Sequence, residues 1–208
     1  MKLLAALVHA AAASQVKVDG GSVVFDSLAP LDNGAKGSPI SRGQSVAVQF
    51  PTPEHCGTDG LTLEYVNFTL GTLDIPDDKS LWLQAALCPS LRLLNQYKFR
   101  SFLLGLPHCT NSDALERIPI HTIAKRATFQ VFPSSPIVLE PATTYWFTVH
   151  SNRKTKKKSP VWLDGTKPFS TDNDPYKQVL VAYTEEDTWA VAAPTEDRFV
   201  PSLQVYVS

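Results

Sequence analysis

Thr144-Tyr145-Trp146-Phe147-Thr148-Val149-His150 alternates with period two. Tyr145, Phe147 and Val149 fall on one side of an extended chain; Thr144, Trp146 and Thr148 fall on the other. This spacing, rich in β-branched and aromatic residues, predicts a strand that lines a core with one face. Pro141 fixes its own φ just upstream and ends the preceding run, so the strand starts near Thr143 and Thr144. Tyr145 and Phe147 are expected in the core. Trp146 is expected on the opposite face, as a packing residue.

The same pattern recurs outward in both directions. Upstream lie Val23-Val24-Phe25, Ser45 to Phe50, Leu61 to Leu73, Ser80 to Leu87 and Thr128 to Phe132. Downstream lie Pro160 to Leu163, Val179 to Thr184 and Leu203 to Val207. Prolines fall between the runs, where they remove no ladder hydrogen bond. The series predicts an all-β protein, an antiparallel β-sandwich of jelly-roll or immunoglobulin-like type with about nine or ten strands. Residues 90–124 break the pattern. Ser90 to Leu106 is rich in Leu, Phe and Arg, and Ser112-Asp113-Ala114-Leu115-Glu116 reads as a capped helical turn. This stretch is expected to be a partly irregular or helical insertion. With no internal repeat and no Pro/Ser-rich linker, residues 14–208 are expected to form one domain.

The chain has 208 residues, 43% hydrophobic and 19% charged, with 19 Lys+Arg against 20 Asp+Glu. That composition excludes a disordered chain and gives no global charge for specific nucleic-acid binding. Met1-Lys2, the apolar Leu3 to Val8 and the small residues to Ala13 predict a signal peptide over residues 1–13. No later stretch reaches the ~20 apolar residues of a membrane-spanning helix. Asn67-Phe68-Thr69 is a glycosylation sequon whose Asn must face solvent to be used. Cys56, Cys88 and Cys109 allow three pairings in an oxidising compartment. The turn-rich surroundings favour Cys56–Cys109, with Cys88 as a buried thiol. Zinc is not expected: no C-x-x-C is present, and the adjacent pairs His55-Cys56 and His108-Cys109 do not readily converge on one ion.

Val24-Phe25-Asp26-Ser27-Leu28, Val46 to Phe50, Leu61 to Leu73, Ser80-Leu81-Trp82-Leu83-Gln84, Leu139 to Phe147, Pro160-Val161-Trp162 and Pro201 to Val207 succeed one another in a familiar order. Taken together, the chain resembles the secreted choice-of-anchor domains, in particular the R type, over residues 23–207 apart from Leu91–Ala124. Such domains occur in bacterial envelope and extracellular proteins, some with a PEP-CTERM sorting tail. The resemblance implies a β-sandwich and an extracellular or envelope location. It implies no catalytic residues. Because the sequence stops at Ser208 without a sorting motif, an anchor is not expected.

Four features could carry chemistry. Glu185-Glu186-Asp187 is the densest acidic cluster and reads as a hairpin turn before Thr188-Trp189; a glycosidase would need Glu185 or Asp187 to meet another acid across a cleft. Asp164, Asp172 and Asp174 offer oxygen ligands for a structural calcium ion, although Asp and Asn are also ordinary turn residues. Arg153, Lys154, Lys156, Lys157 and Lys158 form a basic hairpin tip suited to an anionic polymer, or simply to solvent. Trp189, with Tyr176 and Tyr183, could form an aromatic platform for sugars, while Trp82, Trp146 and Trp162 read as core. No G-x-S-x-G elbow or ordered Ser/His/Asp set accompanies the five histidines. The sequence therefore favours a secreted, non-catalytic module whose partner is a glycan or an anionic surface polymer. The alternatives are a glycan-active hydrolase or lyase and a purely structural extracellular protein.

Overall fold

A computed structural model describes residues 21–30, 36–54, 60–72, 75, 80–90, 105–109, 113–120, 125–169, 179–185, 188–192 and 198–208. Among these residues thirteen strands form two antiparallel sheets, and there is no α-helix. The strands are β1 Ser22–Asp26, β2 Gly37–Pro39, β3 Val46–Pro51, β4 Leu61–Gly71, β5 Trp82–Pro89, β6 Asp113–Pro119 and β7 Arg126–Val131. They continue with β8 Val138–Leu139, β9 Thr144–Ser151, β10 Val161–Leu163, β11 Val181–Glu185, β12 Thr188–Val191 and β13 Leu203–Val207. The all-β sandwich is thus as expected, and every alternating run became a strand. The strand number is higher than about ten, because β2, β6, β8 and β12 are short or weakly patterned.

The first sheet is built on β4. One edge of β4 pairs with β13 through Leu63–Phe68 and with β10 at Leu70 and Gly71; the other pairs with β8 and β7. β1 lies beyond β13, and β2 beyond β10. The second sheet runs β12-β11-β3-β9-β5-β6. One apolar cluster draws on both sheets. Phe68, Phe147 and Trp162 meet pairwise with ring centroids 5.6–5.8 Å apart. Trp162 is fully buried, and its indole N–H donates to Ser202 O at 2.8 Å, which removes the cost of a buried unpaired donor. Tyr145, Phe147 and Val149 join this core, as expected, while Trp146 lies on the other face of β9.

Two expectations need correction. The Ser112–Glu116 segment is not a helical turn: residues 113–119 are strand β6, which pairs with β5. Leu115 and Ile120 enter the core, and pairing along the β5 edge overrides the helix propensity of Asp113-Ala114-Leu115-Glu116. The disulfide joins Cys88 to Cys109, not Cys56 to Cys109, and Cys56 lies outside the described residues. Cys88 sits opposite Trp146 on the outer face of the second sheet. Gly105 to Cys109 lies across that face as a strap: His108 N–H donates to Pro89 O at 3.0 Å, and the Trp146 indole N–H donates to Gly105 O at 3.0 Å. The strap leaves Trp146 with no exposed surface.

The crosslink spans 21 residues of sequence. Chain-entropy reasoning for a loop of that size gives about 3 kcal/mol of stabilisation. Cys88→Ser or Cys109→Ser should lose about that amount in denaturant unfolding, with a red shift of tryptophan emission in the native baseline if the strap lifts from Trp146. An unchanged midpoint would mean that the strap is held without the bond.

Candidate functional site

The outer face of the first sheet carries two adjacent rows of side chains. Their placement depends on β-bulges. In β1 the register slips between Val23 and Phe25, so Val23 pairs with Tyr206 outside while Phe25 pairs with Val205 in the core. In β4 it slips at Glu64, so Leu63 pairs with Val207 in the core while Tyr65 pairs with Tyr206 outside. Each bulge inserts one residue and reverses the facing of the residues beyond it. The outcome is a transverse apolar row: Val23, Tyr206, Tyr65 and Phe132. Tyr65 and Tyr206 stack at 4.3 Å, and Phe132 lies 5.7 Å from Tyr65. Val23 and Phe132 are 47% and 48% exposed.

The neighbouring row is polar: Asp26, Gln204, Asn67 and Gln130, paired in register across β1, β13, β4 and β7. Gln204 Nε2 donates to Asp26 Oδ2 at 3.1 Å, and the Tyr206 hydroxyl donates to Gln204 Oε1 at 3.4 Å. These bonds orient Gln204 between the aromatic row and the carboxylate. The Tyr65 phenol is held above its ordinary value of 10.0 by desolvation, then by Tyr206 and Glu64. Flat rings beside amide and carboxylate groups match the two sides of a pyranose: C–H groups for the rings and hydroxyls for the amides. The row was not singled out from the sequence. Its signal was present, because the apolar phase of Leu61 and Leu63 changes to that of Val66, Phe68 and Leu70.

A second candidate lies on the loop after β9. Lys154, Lys156, Lys157 and Lys158 are exposed, and Arg153 is half-buried. The feet of the loop are pinned: Ser151 Oγ accepts from Arg153 N–H at 3.1 Å, Arg153 O accepts from Arg42 N–H at 2.6 Å, and Ser159 Oγ donates to Lys156 O at 2.7 Å. A shallow cleft of about 400 Å³ opens beside it, lined by Ser80, Leu81, Asn152, Arg153, Lys154 and Thr155. Next to the cleft, the Arg117 guanidinium lies 4.6 Å over the half-buried Trp82 ring, and His150 meets the same ring edge-on at 5.5 Å. Burial, then Arg117, lowers the His150 pKa from 6.5. A lowered folded-state pKa favours the neutral imidazole, so its contribution to stability is full above about pH 6.5 and is lost as pH falls below that value. His150→Gln should flatten the decline in Tm below about pH 6.5; an identical pH profile for the variant would exclude His150 as a source of it.

The other residues singled out from the sequence are scattered. Trp189 pairs with Thr184, and therefore faces outward with Ala182; it packs partly buried against Ala47, Cys88, Trp146 and Ala182. Tyr183 faces the opposite way, packs on the main core and shares a 2.9 Å hydrogen bond with Ser38 Oγ. Alternation along β11 thus separates Trp189 from Tyr183, and the expected platform does not form between them; Tyr176 lies outside the described residues. Trp146 and Trp162 are buried, as expected, whereas Trp82 is half-buried. β11 and β12 pair through Glu185 and Thr188 as the expected hairpin, with Glu186 and Asp187 outside the described residues.

Asp164 is buried, and both its carboxylate oxygens are engaged by Arg198, Nε to Oδ2 at 2.6 Å and Nη2 to Oδ1 at 3.0 Å. Arg198 Nη2 also reaches Ser38 Oγ at 3.0 Å, so the group ties β2, β10 and β11 together. A calcium ion bound there would have to displace that pair. Asp172 and Asp174 lie outside the described residues, and among the described residues no cluster of three or more His, Cys, Asp or Glu suits a metal. Asp164→Asn should destabilise the fold by about 1.5–3 kcal/mol, the scale of a charge-assisted hydrogen-bond pair, without any response to added calcium. A calcium-dependent Tm in the wild type alone would contradict the structural role.

No protein-family model matches the chain, and comparison with curated proteins finds no match. Among the described residues no helix is long and apolar enough to cross a membrane.

Proposed function

We propose that the chain is a secreted, non-catalytic β-sandwich module that binds carbohydrate on the outer face of its first sheet. The observation that carries this reading is the stacked Tyr65–Tyr206 pair, extended by exposed Phe132 and bordered by Asp26, Gln204, Asn67 and Gln130. Side chains with no role in the core are seldom gathered into an exposed apolar row on a monomer without a partner. Export is supported by the signal-like residues 1–13, by the Cys88–Cys109 bond and by the resemblance to choice-of-anchor domains. A hydrolase would require acids converging in a cleft. A purely structural role would leave the aromatic row without a ligand.

The exposed lysines beside the cleft favour a second ligand class, an anionic polysaccharide or other surface polymer. The two modes separate by salt. Binding through the tyrosines should persist at high ionic strength, whereas binding through the lysines should be screened.

Glycan-array screening of the oxidised, unglycosylated protein at low and high salt tests both. Tyr206→Ala and Tyr65→Ala should each weaken salt-resistant binding by about tenfold or more, the scale of stacking lost at a central aromatic contact. Replacing Lys156, Lys157 and Lys158 by Gln should abolish only the salt-sensitive part. Salt-resistant binding that survives both tyrosine substitutions would overturn the assignment to this face.

A further inference from the structure

The Asn67-Phe68-Thr69 sequon lies within the polar row beside the tyrosines. Val66 and Phe68 point into the core with 0% and 1% exposure, so Asn67, between them, points outward. Tyr65 is two residues back on the same face, about 7 Å along the strand. Tyr206 lies diagonally across on β13, at a similar separation that a long side group can bridge. A sugar attached to Asn67 Nδ2 therefore starts beside the stacked rings.

We propose that Asn67 is N-glycosylated and that the first N-acetylglucosamine of its glycan lies on Tyr65 and Tyr206, covering the platform in cis. The inference rests on the reading of those tyrosines as a sugar-binding surface. Transfer acts on the extended, unfolded chain, so the later strand is no obstacle. The anomeric C1–O bond of a lipid-diphosphate-linked oligosaccharide breaks, a C1–Nδ2 bond forms, the lipid diphosphate leaves, and one amide proton passes to the transferring enzyme's base. After folding, the Thr69 hydroxyl is no longer needed for transfer and pairs with Thr128 Oγ1 at 3.1 Å. Tethering then does what free sugar could not. A covalently attached sugar reaches its site at an effective concentration in the millimolar range, enough to occupy a weak single-ring site. The glycan thus competes with any external ligand for the same rings, while the lysine loop after β9 is left untouched.

The test uses the full chain made in a glycosylating host and in a non-glycosylating one. Mass spectrometry should find glycan on Asn67 in the first. Trimming to one N-acetylglucosamine should leave sugar binding weakened by about tenfold or more relative to the unglycosylated protein, and complete removal should restore it. The single sugar should also raise Tm in the wild type but not in a Tyr65→Ala, Tyr206→Ala protein. An unmodified Asn67, or a modified one with full binding and a Tm gain independent of the tyrosines, overturns the proposal. Failure of the unglycosylated protein to bind any sugar would instead overturn the proposed function, leaving the Tm comparison to decide where the attached sugar sits.

Discussion

Phe68, Phe147 and Trp162 hold the two sheets together, and most other features depend on their contact. Phe68 and Trp162 come from neighbouring strands of the first sheet, Phe147 from the centre of the second. The edge-on arrangement of Trp162 against both phenylalanines fills the space between sheets and leaves the indole N–H pointing along the layer to Ser202 O. With those three residues fixed inward, their sequence neighbours must point outward. Asn67 and Trp146 are outer-face residues for that reason alone. The two outer faces then have different fates. On the second sheet the Gly105–Cys109 strap covers Trp146. On the first, the tyrosine row stays at the surface.

Much of the fold could be read from period-two runs, because a half-buried strand must alternate. The facing of Tyr145, Trp146 and Phe147 was legible for that reason, and so were the burial of Trp162 and the β11–β12 hairpin. β6 was not legible. Asp113-Ala114-Leu115-Glu116 has the local composition of a helix start, and only the unpaired edge of β5, formed by residues remote in sequence, makes it a strand. The disulfide pairing was hidden for a similar reason. Local turn character favours Cys56, but bonding is decided by where β5 places Cys88 relative to the returning strap.

The candidate site was less legible than the fold. Tryptophan and tyrosine content points toward Trp189 and Tyr183, yet strict alternation across β11 and β12 places those two on opposite sides of one sheet. Uninterrupted alternation puts Tyr65 on the same face as Leu61 and Leu63, which would bury it. The slip at Glu64 reverses this, and a bulge leaves only a faint trace in sequence: a change of apolar phase within one continuous run. The basic loop was legible, because charge density is a local property; the cleft beside it was not, because Ser80 and Asn152 are brought together only by the β5–β9 pairing.

Glu64 has a further meaning for how such a surface can persist. It is the extra residue that the bulge absorbs: with Glu64 passed over in the pairing, Leu63 and Val66 both reach the core and Tyr65 stays outside, the facing that plain alternation would give a strand lacking Glu64. The gain or loss of one codon at this point can therefore be taken up by the pairing, and Tyr65 keeps its place beside Tyr206 in either case. The bulge thus uncouples the length of the strand from the facing of its side chains.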